Sequence, residues 1–111
     1  MKGKSTHEIE GIENPDGVLR RTLSYNEEVM LCHFQLREGA RIPLHNHRAS
    51  QIGFLVKGAV RFLGEQETDS FVARAGDSWV LDPHQIHGAE ALETSEFVEV
   101  FYPPREEYKD S

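Results

Sequence analysis

The sequence of 111 residues holds a single cysteine, Cys32, so no disulfide can close within the chain, which fits a reducing compartment. No stretch approaches the ~20 consecutive apolar residues that a membrane-spanning helix needs. The opening MKGKSTHEIEG carries two lysines with no apolar run behind them. Neither a membrane partner nor a secretory signal is therefore expected, and the predicted location is the cytoplasm. Basic residues are in the minority, with 12 Lys and Arg against 19 Asp and Glu and a formal net charge of −7. That balance argues against a nucleic-acid partner, because phosphate binding normally calls for a basic surface. A small acidic ligand stays compatible with it, since a metal ion and one or two arginines set the field inside a pocket whatever the total charge. Helical periodicity of useful length is also missing, which leaves no room for the helix pair of a DNA-binding regulator.

What the chain does contain is a series of short extended runs. An apolar content of 38% with 28% charged residues is ordinary globular composition, and the length allows one core, so 1–111 is read as one domain. Residues 1–8 are polar and read as a tail, with His7 exposed. NPDG at 14–17 is a turn. VLRRTLSY follows, then EVMLCHFQL, in which Met30, Cys32, Phe34 and Leu36 share one face with period two. Cys32 is thereby a buried, inert thiol, and His33 on the opposite face is structural or solvent-facing. REG at 37–39 and KG at 57–58 mark further turns. AVRFLG and TDSFVARA bracket a Gly-Glu-Gln-Glu loop as a hairpin, AGD at 75–77 turns into SWVL, and SEFVEVFY is the last strand before a C-terminal tail over 106–111. About eight short strands with a turn every eight to twelve residues predict an all-β fold, a sandwich or a single small closed barrel.

The chemistry concentrates between Gly39 and Gly58, GARIPLHNHRASQIGFLVKG. Residues two apart on a strand point to the same side, so His45 and His47 can converge on one point. A lone His-x-His on a strand is weak evidence of a metal site. Here Gly39, five residues, His45, one residue, His47, three residues, Gln51, six residues and Gly58 make a fixed frame, and after a seventeen-residue gap Gly76 opens a second, in which His87 falls eleven positions on.

These two frames resemble the motifs of the cupin superfamily, whose fold is a double-stranded β-helix, or jelly roll. The first motif matches in spacing throughout, with Gln51 where Glu is usual. The second keeps Gly76 and His87 in register but has Asp82 where Pro is expected and His84 where Gly is expected, with Pro83 displaced by one. The resemblance implies one divalent transition metal ion held by His45, His47, Gln51 and His87. Imidazole and amide ligands suit Zn, Ni, Fe, Mn or Cu. With three neutral imidazoles and a neutral amide, the full charge of the ion is uncompensated, so an anionic ligand is favoured in the open positions.

In SEFVEVFY, Phe97, Glu99 and Phe101 fall on one face and Val98, Val100 and Tyr102 on the other. Neither face is polar, which predicts cover by the barrel interior on one side and by another sheet or a second subunit on the other. Apolar positions on both faces of the end strands point to a homodimer. Glu99 is then either a desolvated interior carboxylate with a raised pKa or an outward carboxylate paired with an arginine. Arg105, after Pro103 and Pro104, reads equally as a carboxylate clamp or as a surface arginine.

LRRTLSYNEEVMLCHF, PLHNH followed by QIG, and FVEVFYPPREEY together look like the small pectin-degradation cupins that linearise unsaturated uronates. That likeness implies an acidic residue, a Phe and an Arg beside the metal, matching Glu99, Phe101 and Arg105. The family pattern carries Asp at the first of these, and Glu where this chain has Ser50. The implied activity is conversion of 4,5-unsaturated monouronates from pectin or alginate to linear keto forms. The metal would polarise substrate oxygens, Glu99 move protons, Arg105 hold the substrate carboxylate and Phe101 shape a dry wall. Two rivals share the three-histidine frame: a mononuclear-metal dioxygenase, and a non-catalytic module for sugars or anions.

Overall fold

Alternation of apolar and polar side chains becomes ten strands in the computed structural model, which describes residues 1–109. They are β1 (Ile12–Glu13), β2 (Val18–Tyr25), β3 (Met30–Leu36), β4 (Arg41–His45), β5 (Ser50–Lys57), β6 (Ala59–Gly64), β7 (Phe71–Arg74), β8 (Ser78–Leu81), β9 (His87–Ala91) and β10 (Ser95–Tyr102). Among the described residues the only helical pieces are three 3₁₀ turns, Thr6–Glu8, Glu67–Asp69 and Glu106–Tyr108. None is long and apolar enough to cross a membrane. The strands form a six-stranded sheet in the order β1-β2-β3-β10-β5-β8 and a four-stranded sheet in the order β4-β9-β6-β7, with antiparallel neighbours. This is the all-β jelly roll that the strand pattern and the histidine frames predict.

Strand β9 is an addition to the sequence reading, which left HGAEA unassigned. Its small residues give no alternating apolar signal, because they pack where two backbones come close. A methyl at Gly88 would stand 2.7 Å from the carbonyl oxygen of Ile42 on β4. Large side chains are excluded there, and with them the usual mark of a strand.

The inward residues of β10 are Ser95, Phe97, Glu99 and Phe101, all buried. They run from an aromatic core to a polar end. At the core, Phe34 stacks on Phe97 with centroids 5.0 Å apart, and Trp79 meets Phe62 at 4.4 Å and Phe97 at 5.5 Å. Offset and edge contacts of this kind add to the burial of the rings themselves. Towards the other end the inward positions turn polar, with Gln51, Glu99, Thr22, Arg20 and His87 all buried. Burying that many polar groups is costly unless they are partnered, which makes this end the place to look for function.

On the outer face of the six-stranded sheet, Ile52, Phe54 and Val56 of β5, Val80 of β8 and Tyr102 of β10 are exposed in the single chain. His33, also outward, is buried and paired with Glu96 at 2.6 Å. It is a structural residue. Cys32 is fully buried and desolvation raises its thiol pKa to about 11, so it has no thiolate character at neutral pH.

Candidate metal centre and its pocket

Three histidines meet where the four-stranded sheet frays. His45 ends β4 and lies opposite His87, the first residue of β9. Pro43 within β4 has no N–H to give, and the pairing with β9 shifts register between Ile42 and His45. The expectation that His45 and His47 share one strand is corrected here. The strand stops at His45, and His47 sits in the bend that leads to β5, held there in part by its own carbonyl accepting from the His84 N–H at 2.7 Å. Convergence survives the change, since one ligand nitrogen from each of the three lies within 4.8 Å of the others.

Each ring is oriented in the same way. The Nδ1 of His45 meets the carbonyl of Pro43 at 2.8 Å, that of His47 the carbonyl of Ala49 at 2.8 Å, and that of His87 the carbonyl of Gln85 at 2.7 Å. A carbonyl can only accept, so Nδ1 must carry the proton and Nε2 is left with a free lone pair. Outer partners of this kind are what fix the tautomer of a metal-binding histidine. Burial, with Arg105 and His87 adding repulsion, lowers the pKa of His47 to about 4, and burial likewise lowers that of His87. Both rings are therefore neutral at neutral pH. The Nε2 of His47 is buried with no hydrogen-bond partner, an arrangement that a cation would satisfy.

Gln51, inward on β5, lines the same cavity as His45 and His87. Its Nε2 donates to Glu99 Oε2 at 2.6 Å, which leaves Oε1 buried and unpartnered. Three imidazole nitrogens and one amide oxygen are ligand types that suit a divalent transition metal ion.

Glu99 faces the interior, which resolves the two orientations left open by the sequence. Cross-strand register explains how it is held. Glu99 lies opposite Gly53 on β5, and Gly53 lies opposite Trp79 on β8. A methyl at Gly53 would come within 2.4 Å of the Trp79 ring, so glycine is what lets the indole lie across β5. From there Trp79 Nε1 donates to Glu99 Oε2 at 2.7 Å. Burial raises the Glu99 pKa to about 7, with the bonds from Trp79 and Gln51 and the charge of Arg105 opposing a larger rise. A carboxyl poised near neutrality can both take and give a proton.

Arg105 is an interior-facing residue rather than a surface one. Its side chain is only 13% exposed, and its guanidinium lies 5.7 Å from the Phe101 ring. Arg105, Phe101, Glu99, Gln51, His45 and His87 line one cavity of about 370 Å³, counting the part open to solvent. His47 adjoins it, with its ring 6.0 Å from that of Phe101. All seven residues singled out from the sequence thus come together. His84 does not join them. It is exposed, with φ at +64°, a backbone conformation that glycine adopts more readily than other residues. His7 is exposed in the N-terminal segment.

Two residues of the site escaped the sequence reading. Trp79 had a signal in Gly53, an isolated glycine in mid-strand. Tyr108 lines the cavity from the segment read as a tail, and its placement depends on contacts with β2 more than eighty positions away. Residues 110 and 111 of that segment lie outside the described residues.

The cupin domain family matches residues 32–101. This chain is a cupin. It is similar to pectin degradation protein KdgF of Dickeya dadantii (strain 3937), at 24% identity over 95 residues, 84% of each protein. Among solved structures, KdgF from Halomonas sp. superposes with a TM-score of 0.87 at 28% identity, covering 96% of this cupin and 97% of that chain. An RmlC-like cupin from Shewanella frigidimarina superposes with a TM-score of 0.85 at 28% identity, covering 97% and 99%.

Proposed function

We propose that this cupin is a metal-dependent enzyme that opens the ring of 4,5-unsaturated monouronates derived from pectin or alginate and converts them to linear keto acids. The observation that carries the reading is Glu99, a buried carboxyl that accepts from Gln51 and Trp79 and lines one pocket with Arg105, Phe101, His45 and His87. The KdgF likeness supports the same substrate class.

The reaction is an isomerisation. Opening the hemiacetal breaks the bond between C1 and the ring oxygen and leaves an enolate at C5, which takes a proton at C4 to become a ketone. Glu99 accepts the proton of the C1 hydroxyl as that bond breaks, and a proton returned at C4 restores the carboxylate for the next turnover. Arg105 holds the substrate carboxylate and so fixes which carbons face Glu99. Phe101, 1% exposed, forms an apolar wall beside the reacting atoms. A divalent ion held by His45, His47, His87 and Gln51 would supply Lewis-acid polarisation of substrate oxygens.

The test is proton NMR of metal-loaded protein with an unsaturated galacturonate in D₂O. The reading requires an open-chain product with deuterium at C4, formed faster than the spontaneous conversion and at the same rate without oxygen. Unchanged substrate in every metal form would refute it, and a product that needs oxygen would mean a dioxygenase.

We also propose that the partner covering Ile52, Phe54, Val56, Val80 and Tyr102 is a second copy of this chain. These residues form one apolar face across the neighbouring strands β8, β5 and β10, a shape that can pair with itself about a two-fold axis. Sedimentation at twice the chain mass, reduced to the monomer by Phe54→Glu, supports the pairing. A wild-type monomer at micromolar concentration refutes it.

A further inference from the structure

The Arg105 guanidinium is poorly provided with acceptors for a cation whose side chain is only 13% exposed. Among the described residues its only hydrogen bond runs from Nη1 to the Tyr108 hydroxyl at 2.8 Å. The exposed Glu107 carboxylate stands 3.5 Å from Nε, and Nε itself is buried without a hydrogen bond. Five N–H donors with one neutral acceptor make a receptor for an anion.

Tyr108 is held more firmly than a terminal residue needs to be. Its carbonyl accepts from Thr22 Oγ1 at 2.5 Å and from Arg20 Nη1 at 3.2 Å, which straps the Glu106–Tyr108 turn to β2. Its ring lies 4.0 Å from the Arg20 guanidinium and 4.2 Å from that of Arg105, and meets the Phe101 ring edge-on at 5.6 Å. Ring and backbone are both fixed, and the hydroxyl is the one part of the residue with hydrogen-bonding capacity left over. Because a guanidinium only donates, the bond to Arg105 makes the phenol oxygen an acceptor. The phenol's own hydrogen then has no acceptor among the described residues. Burial keeps the phenol above its ordinary pKa in spite of the two arginines, so that hydrogen stays in place.

We propose that Tyr108 is a substrate-binding residue, whose hydroxyl donates to the carboxylate held by Arg105 at the cavity wall that the two residues share. The proposal rests on the reading of this pocket as a site for an acidic sugar. With Oη 2.8 Å from a guanidinium nitrogen, the two side chains together present donors to both oxygens of one carboxylate. A sugar without the carboxylate has nothing to offer them, so the pair selects for acids.

The experiment titrates metal-loaded wild type and Tyr108→Phe with galacturonate, a saturated acid that cannot undergo the ring opening, and with galactose as the neutral control. Calorimetry gives the affinity, and fluorescence of Trp79, the single tryptophan, gives a second signal from beside Glu99. Phenylalanine keeps the ring contacts and the strapped carbonyl, and removes one donor to a charged group. The expected result is a loss of roughly tenfold or more for galacturonate and no change for galactose. On unsaturated galacturonate KM should rise by a similar factor with kcat little changed, as for an interaction made equally in ground and transition states. Galacturonate affinity equal in the two proteins, an equal loss for both sugars, or no binding by wild type would each overturn the proposal. The two readings fail separately. Galacturonate binding weakened by Tyr108→Phe without any turnover removes the ring-opening reading and keeps the subsite, whereas turnover whose KM ignores Tyr108→Phe does the reverse.

Discussion

Replacing Glu99 with glutamine should remove activity and at the same time stabilise the metal-free protein at pH 8. The carbonyl oxygen of a glutamine can still accept from Trp79 and Gln51, but the side chain can no longer ionise. In the wild type, burial raises the Glu99 pKa from 4.5 to about 7. Between those values the folded chain holds a proton that the unfolded chain has lost, so stability falls as pH rises through the window and is level above it. At ~1.36 kcal/mol per pKa unit the loss amounts to about 3 kcal/mol. His47 and His87 work in the opposite sense, because their lowered pKa values make stability rise as pH climbs towards their ordinary value of 6.5. Both proteins contain them, so their contribution cancels in the difference. Urea unfolding with a chelator at pH 4.5 and pH 8 measures that difference. The advantage of Glu99→Gln over wild type should grow by about 3 kcal/mol between the two pH values. Parallel pH profiles would mean that Glu99 ionises in the fold without cost, and the argument for its proton-carrying role from burial would fail.

Other consequences can be checked in parallel. Gly53→Ala places a methyl where the Trp79 ring now lies, and should cost about 1–3 kcal/mol of unfolding free energy while shifting tryptophan emission, because the bond to Glu99 cannot survive the displacement. Zinc or nickel at about 100 times its dissociation constant should raise unfolding free energy by about 2.7 kcal/mol, and His47→Ala should abolish that increment in calorimetry. Phe97→Ala empties a site enclosed by Phe34, Phe62 and Trp79, and should cost about 3–5 kcal/mol in denaturant melts.

Much of this architecture could be read from local patterns, because alternation in β10 and β3 is set by burial of one face and shows in four residues each. The clustering of the three histidines could be anticipated too, since the frame from Gly39 to Gly58 sets a turn, two histidines and a glutamine within one short segment. What could not be read depended on which strands become neighbours. Period two says that Phe97, Glu99 and Phe101 share a face, but only pairing with β5 and β3 decides that the face is inward. The strand at β9 was hidden because close backbone approach required glycine and alanine, which carry no alternating signal. Trp79 reaches Glu99 across a glycine on an intervening strand, and Tyr108 reaches the pocket through bonds to Thr22 and Arg20 far upstream. The mid-strand glycine is the one local trace of the first contact, and the second leaves none in the spacing of the residues concerned.

The most direct measurement of the central claim is the rate at which the ultraviolet absorbance of an unsaturated galacturonate monomer decays in the presence of metal-loaded protein. The account predicts decay well above the spontaneous rate, unaffected by removal of oxygen, lost on chelation and lost in Glu99→Gln even though that variant is folded. Decay at the spontaneous rate with wild type in every metal form, or equal acceleration by Glu99→Gln, would contradict it.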